Sequence, residues 1–260
     1  MALNNPYALS FDGVDDRVVA SAIPLSQLSK WTAEFWVRSP RAPQLSTKIS
    51  QPLVNDRTFA FAWDHRSSRS VQSVGYQYDI SGNQWYLVQI QKPLLAHTWY
   101  HIAATYDGET LAIYLNGELD NSIDAPNPPI SLGYQLSIGA GLSGQSHFFR
   151  GDLDEVRIWN YARSAEEIYT YKDRYLTGNE PGLLRLYRFD TGSGNIANDS
   201  SPNANHGTIY GATWIPGLID LHLPGEVPIS ATLRGSSRAT ARADRIRGLS
   251  AHLTGAATST

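Results

Sequence analysis

Short segments in which apolar and polar residues alternate recur from Tyr7 to Trp159, with turn residues between them. This period of two puts every second side chain on the same face of a β-strand, so it predicts strands that each bury one face. The clearest of these runs are Trp31 to Val37, Val74 to Tyr78, Trp85 to Ile90, Trp99 to Tyr106, Leu111 to Leu115, Gln135 to Ile138 and Asp154 to Trp159. The pairs Asp107-Gly108 and Asn116-Gly117 accept the positive φ angles of tight hairpin turns, and they predict three consecutive antiparallel strands. We therefore expect an all-β fold.

One helix interrupts this pattern. Ser164 followed three residues later by Glu167 forms a capping-box signature, and the apolar side chains of the segment from Ser164 to Tyr175 fall on one side. We expect this short helix at the periphery, packed against the outside of the β structure. The later alternating runs, Leu183 to Phe189 and Thr208 to Trp214, are expected to return to the same body, because the interval holds too few apolar residues for a second core.

Composition limits the classes of protein that this chain can belong to. Seven Trp, fourteen Tyr and seven Phe residues supply core material for a large β domain. The absence of cysteine excludes disulfides, thiolate metal sites and cysteine nucleophiles. No apolar run is long enough to cross a bilayer, so we expect no membrane insertion. The first residues lack the basic start and apolar stretch of a secretory signal, so an extracellular or particle-surface location would be reached by a non-secretory route.

Four blocks of sequence, taken in order, resemble a known family. They are Leu9 to Asp16, Trp99 to Gly108, Tyr114 to Glu118, and Gly151 to Asn160 with the following Ala162-Arg163-Ser164. Together they resemble the laminin-G-like, concanavalin A-like lectin/glucanase domains of the bacterial type, over about residues 7–215. The resemblance implies a jelly-roll sandwich of two antiparallel sheets that usually binds glycans or proteins and often holds a structural calcium ion.

The resemblance also suggests where calcium would bind. In related domains an Asp at the position of Asp154 helps to ligate the ion, and the first acidic turn offers Asp12 and Asp16, with Gly13 as a main-chain donor. Calcium requires several hard oxygen ligands, which turns rich in Asp and Gly provide. The alternative is that these Asp residues only cap turns and form ion pairs with nearby arginines, Arg17 or Arg157.

A glycan site needs an aromatic face for the C–H surface of a sugar and polar groups for its hydroxyls. The candidates lie in adjoining hairpins: Trp63, Asp64, His65, Tyr76, Tyr78, Asn83 and Trp85, with Tyr86 beside them. Alternating aromatic residues in a sandwich also serve as core, and this alternative stays open. Trp63 and Trp85 adjoin polar turns, so we expect these two to be exposed.

Catalytic and nucleic-acid-binding signatures are absent from the sequence. Retaining glycosidases need two carboxylates about 5 Å apart, and no Glu-x-Asp-x-Glu pattern occurs. Asp152, Asp154 and Glu155 come closest, but strict alternation would send Glu155 to the face opposite Asp154. The tripeptide Arg150-Gly151-Asp152 is read by integrins in other proteins, and here we interpret it as coincidence. We expect neither enzymatic activity nor a nucleic-acid partner.

The sequence after residue 215 differs in composition from the residues before it. We expect a domain over residues 1–215, a proline-rich linker over 216–228 and a repetitive tail over 229–260, in which Ser230 to Gly235 recurs as Ser250 to Gly255. Alternating small residues predict strands for the tail, whereas a helix capped by Ser237 and Gly248 is the alternative. The tail is basic, with Arg234, Arg238, Arg242, Arg245 and Arg247 against Asp244 alone, and it is the expected contact with other subunits.

These observations favour a non-catalytic, lectin-like recognition module that binds a glycan or cell-surface ligand. The repetitive tail favours a homo-oligomer or membership of a larger particle or fibre, such as a phage tail or a contractile assembly. The first alternative is a structural or decoration protein of such an assembly that binds no sugar. The second is an enzyme similar to glycoside hydrolases.

Overall fold

The structure is a computed structural model that describes residues 5–43, 49–63, 73–78, 84–131, 133–217 and 221. The five tail arginines named above lie outside these residues, as do Asp64, His65 and Asn83. The expected β-rich tail therefore stays a prediction. No helix in the described ranges is long and apolar enough to span a bilayer.

Sixteen strands and one α-helix form the described fold. In chain order they are β1 (Tyr7–Asp12), β2 (Arg17–Ala20), β3 (Trp31–Arg38), β4 (Leu53–Asn55), β5 (Phe59–Ala62), β6 (Ser73–Gln77), β7 (Trp85–Gln89), β8 (Tyr100–Tyr106), β9 (Thr110–Leu115), β10 (Glu118–Asp124), β11 (Leu136–Ile138), β12 (Arg150–Trp159), α1 (Ala165–Tyr171), β13 (Leu183–Tyr187), β14 (Ile196–Ala197), β15 (Gly207–Tyr210) and β16 (Thr213–Pro216). Each of the seven runs picked out by alternation overlaps one of these strands.

The strands form two antiparallel sheets, as predicted. The first sheet has the order β10-β9-β8-β3-β12-β1-β16, with β13 also paired to β12. The second has the order β14-β15-β2-β11-β4-β5-β6-β7. Since β1 pairs with β12, the sequence blocks that contain Asp12 and Asp154 lie on neighbouring strands. The late strands join both sheets, because β13 and β16 extend the first and β15 pairs with β2 of the second.

The predicted three-stranded meander is confirmed. Strand β8 pairs with β9 and β9 pairs with β10, each in an antiparallel register. At the second turn Asn116 and Gly117 have φ angles of 52° and 86°, which is the left-handed conformation that their sequence predicts. Gly117 is also required by packing, because a Cβ there would lie 2.8 Å from Cα of Tyr169 in α1.

The core lies between the two sheets and consists mainly of large apolar side chains. Trp31 on β3 is fully buried and contacts Phe59 of the opposite sheet, with ring centroids 5.2 Å apart. Phe35 meets Phe61 edge to face at 4.9 Å. Aromatic pairs at these distances add to the free energy gained by burial, so β3 and β5 hold the two sheets together.

Helix α1 packs against the outside of the first sheet, as predicted. Ser164 and Glu167 form the reciprocal capping box, and Ile168 packs on Ala103 and Tyr114. The helix ends at Tyr171 rather than at Tyr175. At this end, Arg157 of β12 donates a hydrogen bond to the Tyr171 carbonyl oxygen.

Candidate functional site

The first acidic turn brings three carboxylates together. Asp12, Asp15 and Asp16 each offer an oxygen within 4.8 Å of the others, and only Asp16 is buried. The Asp16 carboxylate accepts a hydrogen bond from the Asp12 backbone N–H at 2.8 Å, and the Asp12 carboxylate accepts one from Val14 at 2.7 Å. Burial, together with the charges of Asp12 and Asp15, raises the pKa of Asp16. The donor set fits a hard cation, and it includes Asp15, which the sequence did not single out.

Asp154 does not join this turn. The register pairs Asp12 with Arg150, four residues before Asp154, which corresponds to about 13 Å along the strand. Asp154 is fully buried and accepts hydrogen bonds from Asn5 Nδ2 at 2.5 Å and from the Glu155 backbone at 2.9 Å. Burial and the nearby Glu155 raise the pKa of Asp154 well above its usual value. The expectation that Asp154 and Asp12 share one ion therefore disagrees with the strand register.

A β-bulge in β12 determines on which face of the sheet the Glu155 side chain lies. Glu155 has a φ of 48°, and the pairing of β12 with β3 shifts register between Asp154 and Arg157. The extra residue puts Glu155 on the outer face, where its carboxylate accepts from Arg157 Nη2 at 2.9 Å. The prediction that alternation separates Glu155 from Asp154 was wrong, because strict alternation fails at a bulge.

Arg157 in turn fixes the end of the helix. Its guanidinium donates to the carbonyl oxygen of Tyr171, the last helical residue, at 2.7 Å, and to that of Arg174, three residues beyond the helix, at 2.9 Å. The last carbonyls of a helix have no partner within the helix, and a cation is favourable there. Neither arginine forms the proposed ion pair with an Asp of the described residues: Arg157 pairs with Glu155, and Arg17 donates to the Asp15 backbone carbonyl.

Glu34 is the centre of a buried ionic network on the outer face of the first sheet. Its carboxylate accepts from Arg163 Nη1 at 2.7 Å and from Trp159 Nε1 at 3.0 Å, while His101 Nε2 lies 3.5 Å away. Burial alone would raise the pKa of Glu34, but the Arg163 guanidinium holds it well below its usual range. Burial lowers the pKa of His101, which favours the neutral imidazole beside the arginines. The block from Asp154 to Arg163 therefore stabilises the fold.

The aromatic candidates divide into core and surface. Trp63 is only 2 % exposed and packs against Phe149, and Tyr76 is fully buried, so the expectation that Trp63 is exposed was wrong. Trp85 is 38 % exposed, as expected. Tyr78 is half-buried and stacks on Tyr86 at a centroid distance of 4.4 Å.

Trp85 lies at a groove of about 460 Å³ on the outer face of the second sheet. The floor consists of small residues on β5 and β6, namely Ala60, Ala62, Ser73 and Gly75. Trp85 and Leu87 on the edge strand β7 form one side, and Gln51 and His147 lie on the side of β4. Apart from His147, no lining residue has an ionisable side chain, and the volume is in the range of small-ligand sites.

The sequence contains a pattern of small residues that indicates this groove, but the prediction from aromatic residues did not use it. In the run Phe59-Ala60-Phe61-Ala62-Trp63, the aromatic residues face the core and the alanines face outward. At Gly75 an added Cβ would lie only 2.5 Å from the Tyr86 carbonyl oxygen, so the floor cannot carry a larger side chain there. An outward row of small residues beside an exposed tryptophan is the pattern that indicates a shallow site.

Comparisons with known proteins agree with this architecture. A family described as the concanavalin A-like lectin/glucanases superfamily, Laminin_G_3, matches residues 12–169, which is more than half of the chain. Mouse pappalysin-1 is 29 % identical over 108 residues, which cover 40 % of this chain and 7 % of pappalysin-1. Human pappalysin-1 is 22 % identical over 174 residues, which cover 62 % and 11 %. The chain thus spans only a small part of these relatives.

The protein also shares its fold with solved structures, of which one example covers most of the chain. That example is described as a "putative carbohydrate binding protein" from Bacteroides ovatus, with a TM-score of 0.66 and 21 % sequence identity. The match covers 85 % of this chain and 62 % of the Bacteroides protein.

Proposed function

Because the chain belongs to the concanavalin A-like lectin/glucanase superfamily, we propose that it is a non-catalytic carbohydrate-recognition module whose ligand lies in the groove beside Trp85. The observation that carries this proposal is the pairing of an exposed tryptophan with a floor of small side chains. The Bacteroides protein of the same fold is described as a "putative carbohydrate binding protein", which supports the same class of ligand.

The lining of the groove favours a neutral glycan. The indole of Trp85 offers a flat apolar face for the C–H surface of a pyranose, and the small floor lets the ring approach the sheet closely. The half-buried Gln51 supplies an amide group for sugar hydroxyls. An acidic or basic sugar would be desolvated in this groove without a charged partner, which is costly.

The carboxylates nearest to a catalytic pair are all engaged in structural contacts, which supports a non-catalytic role. Asp152 contacts Arg38, Asp154 contacts Asn5, and Glu155 contacts Arg157. Enzymatic hydrolysis is the alternative that this arrangement disfavours. The structural-protein alternative predicts instead that the groove is covered by another subunit and retains no glycan.

Substituting Trp85 tests the proposal. We expect the intact protein to retain neutral oligosaccharides on a glycan array, and Trp85→Ala to weaken binding of the best ligand about tenfold or more, because a central aromatic anchor is lost. Isothermal titration calorimetry measures the change. Tyr169→Ala is the matched control, since Tyr169 is 58 % exposed on α1, on the other sheet. Equal affinities for the intact protein and Trp85→Ala, or an array that retains no neutral glycan, would refute the proposed site.

We also propose that the acidic turn holds a structural calcium ion through Asp12, Asp15 and Asp16. These carboxylates supply several negative oxygens, and Gly13 has a φ of 82° that lets the chain turn tightly between them. When bound, the ion would neutralise like charges that otherwise repel each other. It would link the end of β1 to the start of β2.

Thermal unfolding tests the calcium proposal. About 5 mM calcium, above the range of weak extracellular sites, should raise the melting temperature by roughly 3–6 °C relative to chelator. The substitution Asp15→Asn should reduce this shift, whereas Asp124→Asn, an exposed Asp at the end of β10, should leave it unchanged. The absence of a calcium-dependent shift in the intact protein would count against the ion.

Residues 229–260 are proposed to connect the module to other copies or to a larger particle. The five arginines and the internal repeat support this role. Deleting these residues should leave a folded sandwich and lower the mass of the particle in sedimentation experiments. If the intact and truncated chains both sediment as monomers, the assembly role is wrong.

A further inference from the structure

A second cleft, of about 490 Å³, lies at the end of the first sheet. Its lining comes from the ends of three adjacent strands, β1, β12 and β3, and from the segment around His97. The groove beside Trp85 belongs to the other sheet, so the two cavities are separate. Unlike that groove, this cleft is lined by charged side chains, with Arg38 and Arg150 opposite Asp12 and Asp152.

Arg38 is held in place before any ligand arrives. Its Nε and Nη2 atoms contact Oδ2 of Asp152 at 2.7 and 2.6 Å, and its guanidinium stacks over Trp99 at 5.0 Å. A guanidinium fixed in this way loses little side-chain entropy when it binds an anion. Both contacts use Oδ2, and no described residue bonds Oδ1 of Asp152, which can accept from a ligand hydroxyl.

Arg150 is exposed and makes no ion pair with any described residue. Two glycines shape the backbone around it. A Cβ on Gly13 would lie 2.8 Å from Cβ of Arg150, and one on Gly151 would lie 2.4 Å from the Arg38 carbonyl oxygen. Gly151 also has a φ of 154°, which other residues rarely adopt. The tripeptide Arg150-Gly151-Asp152 therefore forms part of the cleft wall and is not displayed on a free loop.

His97 completes the rim in a strained conformation. It has a φ of 59°, which is uncommon for a residue with a side chain, and its backbone N–H donates to the Ser39 carbonyl at 2.7 Å. This hydrogen bond ties the segment that follows β7 to the end of β3. Local strain of this kind is often kept where it positions a functional side chain.

We propose that this cleft binds a sugar acid, such as a hexuronate residue. Two guanidinium groups recognise the ligand carboxylate, since Arg forms paired hydrogen bonds with planar carboxylates. The Oδ1 atom of Asp152 accepts from a hydroxyl beside that carboxylate. The unliganded cleft is close to electrically neutral, so a bare anion gains little there and the hydroxyl contacts are needed for binding.

Ligand-observed NMR titration of the full-length protein tests this proposal, with glucuronate, glucose and acetate as probes. We expect glucuronate to bind about tenfold or more tightly than glucose or acetate, because each of these lacks one set of charge-assisted hydrogen bonds. The substitution Arg150→Ala should weaken glucuronate binding about tenfold or more, and Arg150→Lys should fall between the two. Lys30→Ala, which removes an exposed cation elsewhere, is the matched control. Thermal melting verifies that all variants are folded.

The two variants Trp85→Ala and Arg150→Ala distinguish glucuronate binding in this cleft from binding in the groove beside Trp85. Glucuronate binding that survives Trp85→Ala but not Arg150→Ala supports the cleft. Loss of glucuronate binding in Trp85→Ala would place the ligand in the groove and overturn the proposal. Equal binding of acetate and glucuronate would reveal simple anion attraction, and it would also overturn the proposal, as would unchanged binding in Arg150→Ala.

Discussion

The substitution Glu34→Gln is expected to lower the free energy of unfolding by about 3–5 kcal/mol, because it leaves the buried Arg163 guanidinium without its paired carboxylate. Glu34 is inaccessible to solvent and contacts Arg163 at 2.7 Å, with Arg157 at 3.9 Å. Glutamine has the same shape and still accepts one hydrogen bond. The loss in the free energy of unfolding therefore reports on the charge of Glu34. For a chain of this size the melting temperature should fall by about 10 °C.

Glu118→Gln is the control for this experiment. Glu118 pairs with Lys92 at 3.4 Å, but its side chain is 69 % exposed. Exposed pairs contribute about 0–1 kcal/mol, so this variant should unfold close to the intact protein. Urea denaturation of both variants measures the difference. Similar midpoints for the two would mean that burial of the Glu34 network does not matter to stability.

The difference in stability between the intact protein and Glu34→Gln should depend on pH. The folded-state pKa of Glu34 is lowered below its ordinary value of 4.5, so the carboxylate stabilises the fold above that pH. This contribution is lost as the pH falls below the ordinary value, since the unfolded chain takes up the proton first. The gap in stability between the intact protein and Glu34→Gln should therefore be widest near neutral pH and narrow under acid conditions.

The substitution Gly139→Ala should have the second large effect. Gly139 has a φ of 81°, and a Cβ there would lie 2.2 Å from the ring of Phe11, which is buried in the core. The ring would have to move within a close-packed interior. Overpacking of this kind costs about 1–3 kcal/mol, and the left-handed conformation adds about 1–2 kcal/mol.

Gly133→Ala separates these two contributions. Gly133 has nearly the same φ, 79°, but no atom of the described residues lies within 4 Å of an added Cβ. It should therefore show only the backbone cost of about 1–2 kcal/mol. Thermal and urea unfolding of the two variants give the steric part by difference. If both lose the same stability, the contact with Phe11 is not limiting.

Gly139 and Glu34 affect function through the stability of the two sheets. Gly139 lies just after β11 and packs on Phe11 of β1, so it links the sheets near the end that carries the charged cleft. Glu34 anchors α1 on the outside of the first sheet through Arg163. A loss of stability at either site should lower the folded fraction without changing the affinity of the folded protein for ligand.

Local sequence signals predicted the elements that depend on local physics. The Asn116-Gly117 turn, the capping box of Ser164 and Glu167, and the alternating strands follow from backbone preferences and side-chain period, and they occur where expected. Trp85 is exposed, as predicted, but the same prediction was wrong for Trp63, because a polar neighbour in sequence does not show which face of a strand a side chain occupies. The helix ends at Tyr171, whose carbonyl oxygen accepts a hydrogen bond from Arg157 on a distant strand, a contact that local sequence does not predict.

By itself the sequence determined an antiparallel all-β fold with one peripheral helix, since period, turn chemistry and capping act over a few residues. The two-sheet sandwich was what the resemblance of four sequence blocks to a known family implied. Only the tertiary structure decided the sites. A bulge of one residue at Glu155 put two neighbouring carboxylates on one face, and the strand register separated Asp154 from Asp12. The groove and the charged cleft each combine side chains from strands far apart in the chain, so their shape and charge depend on long-range pairing that local patterns do not encode.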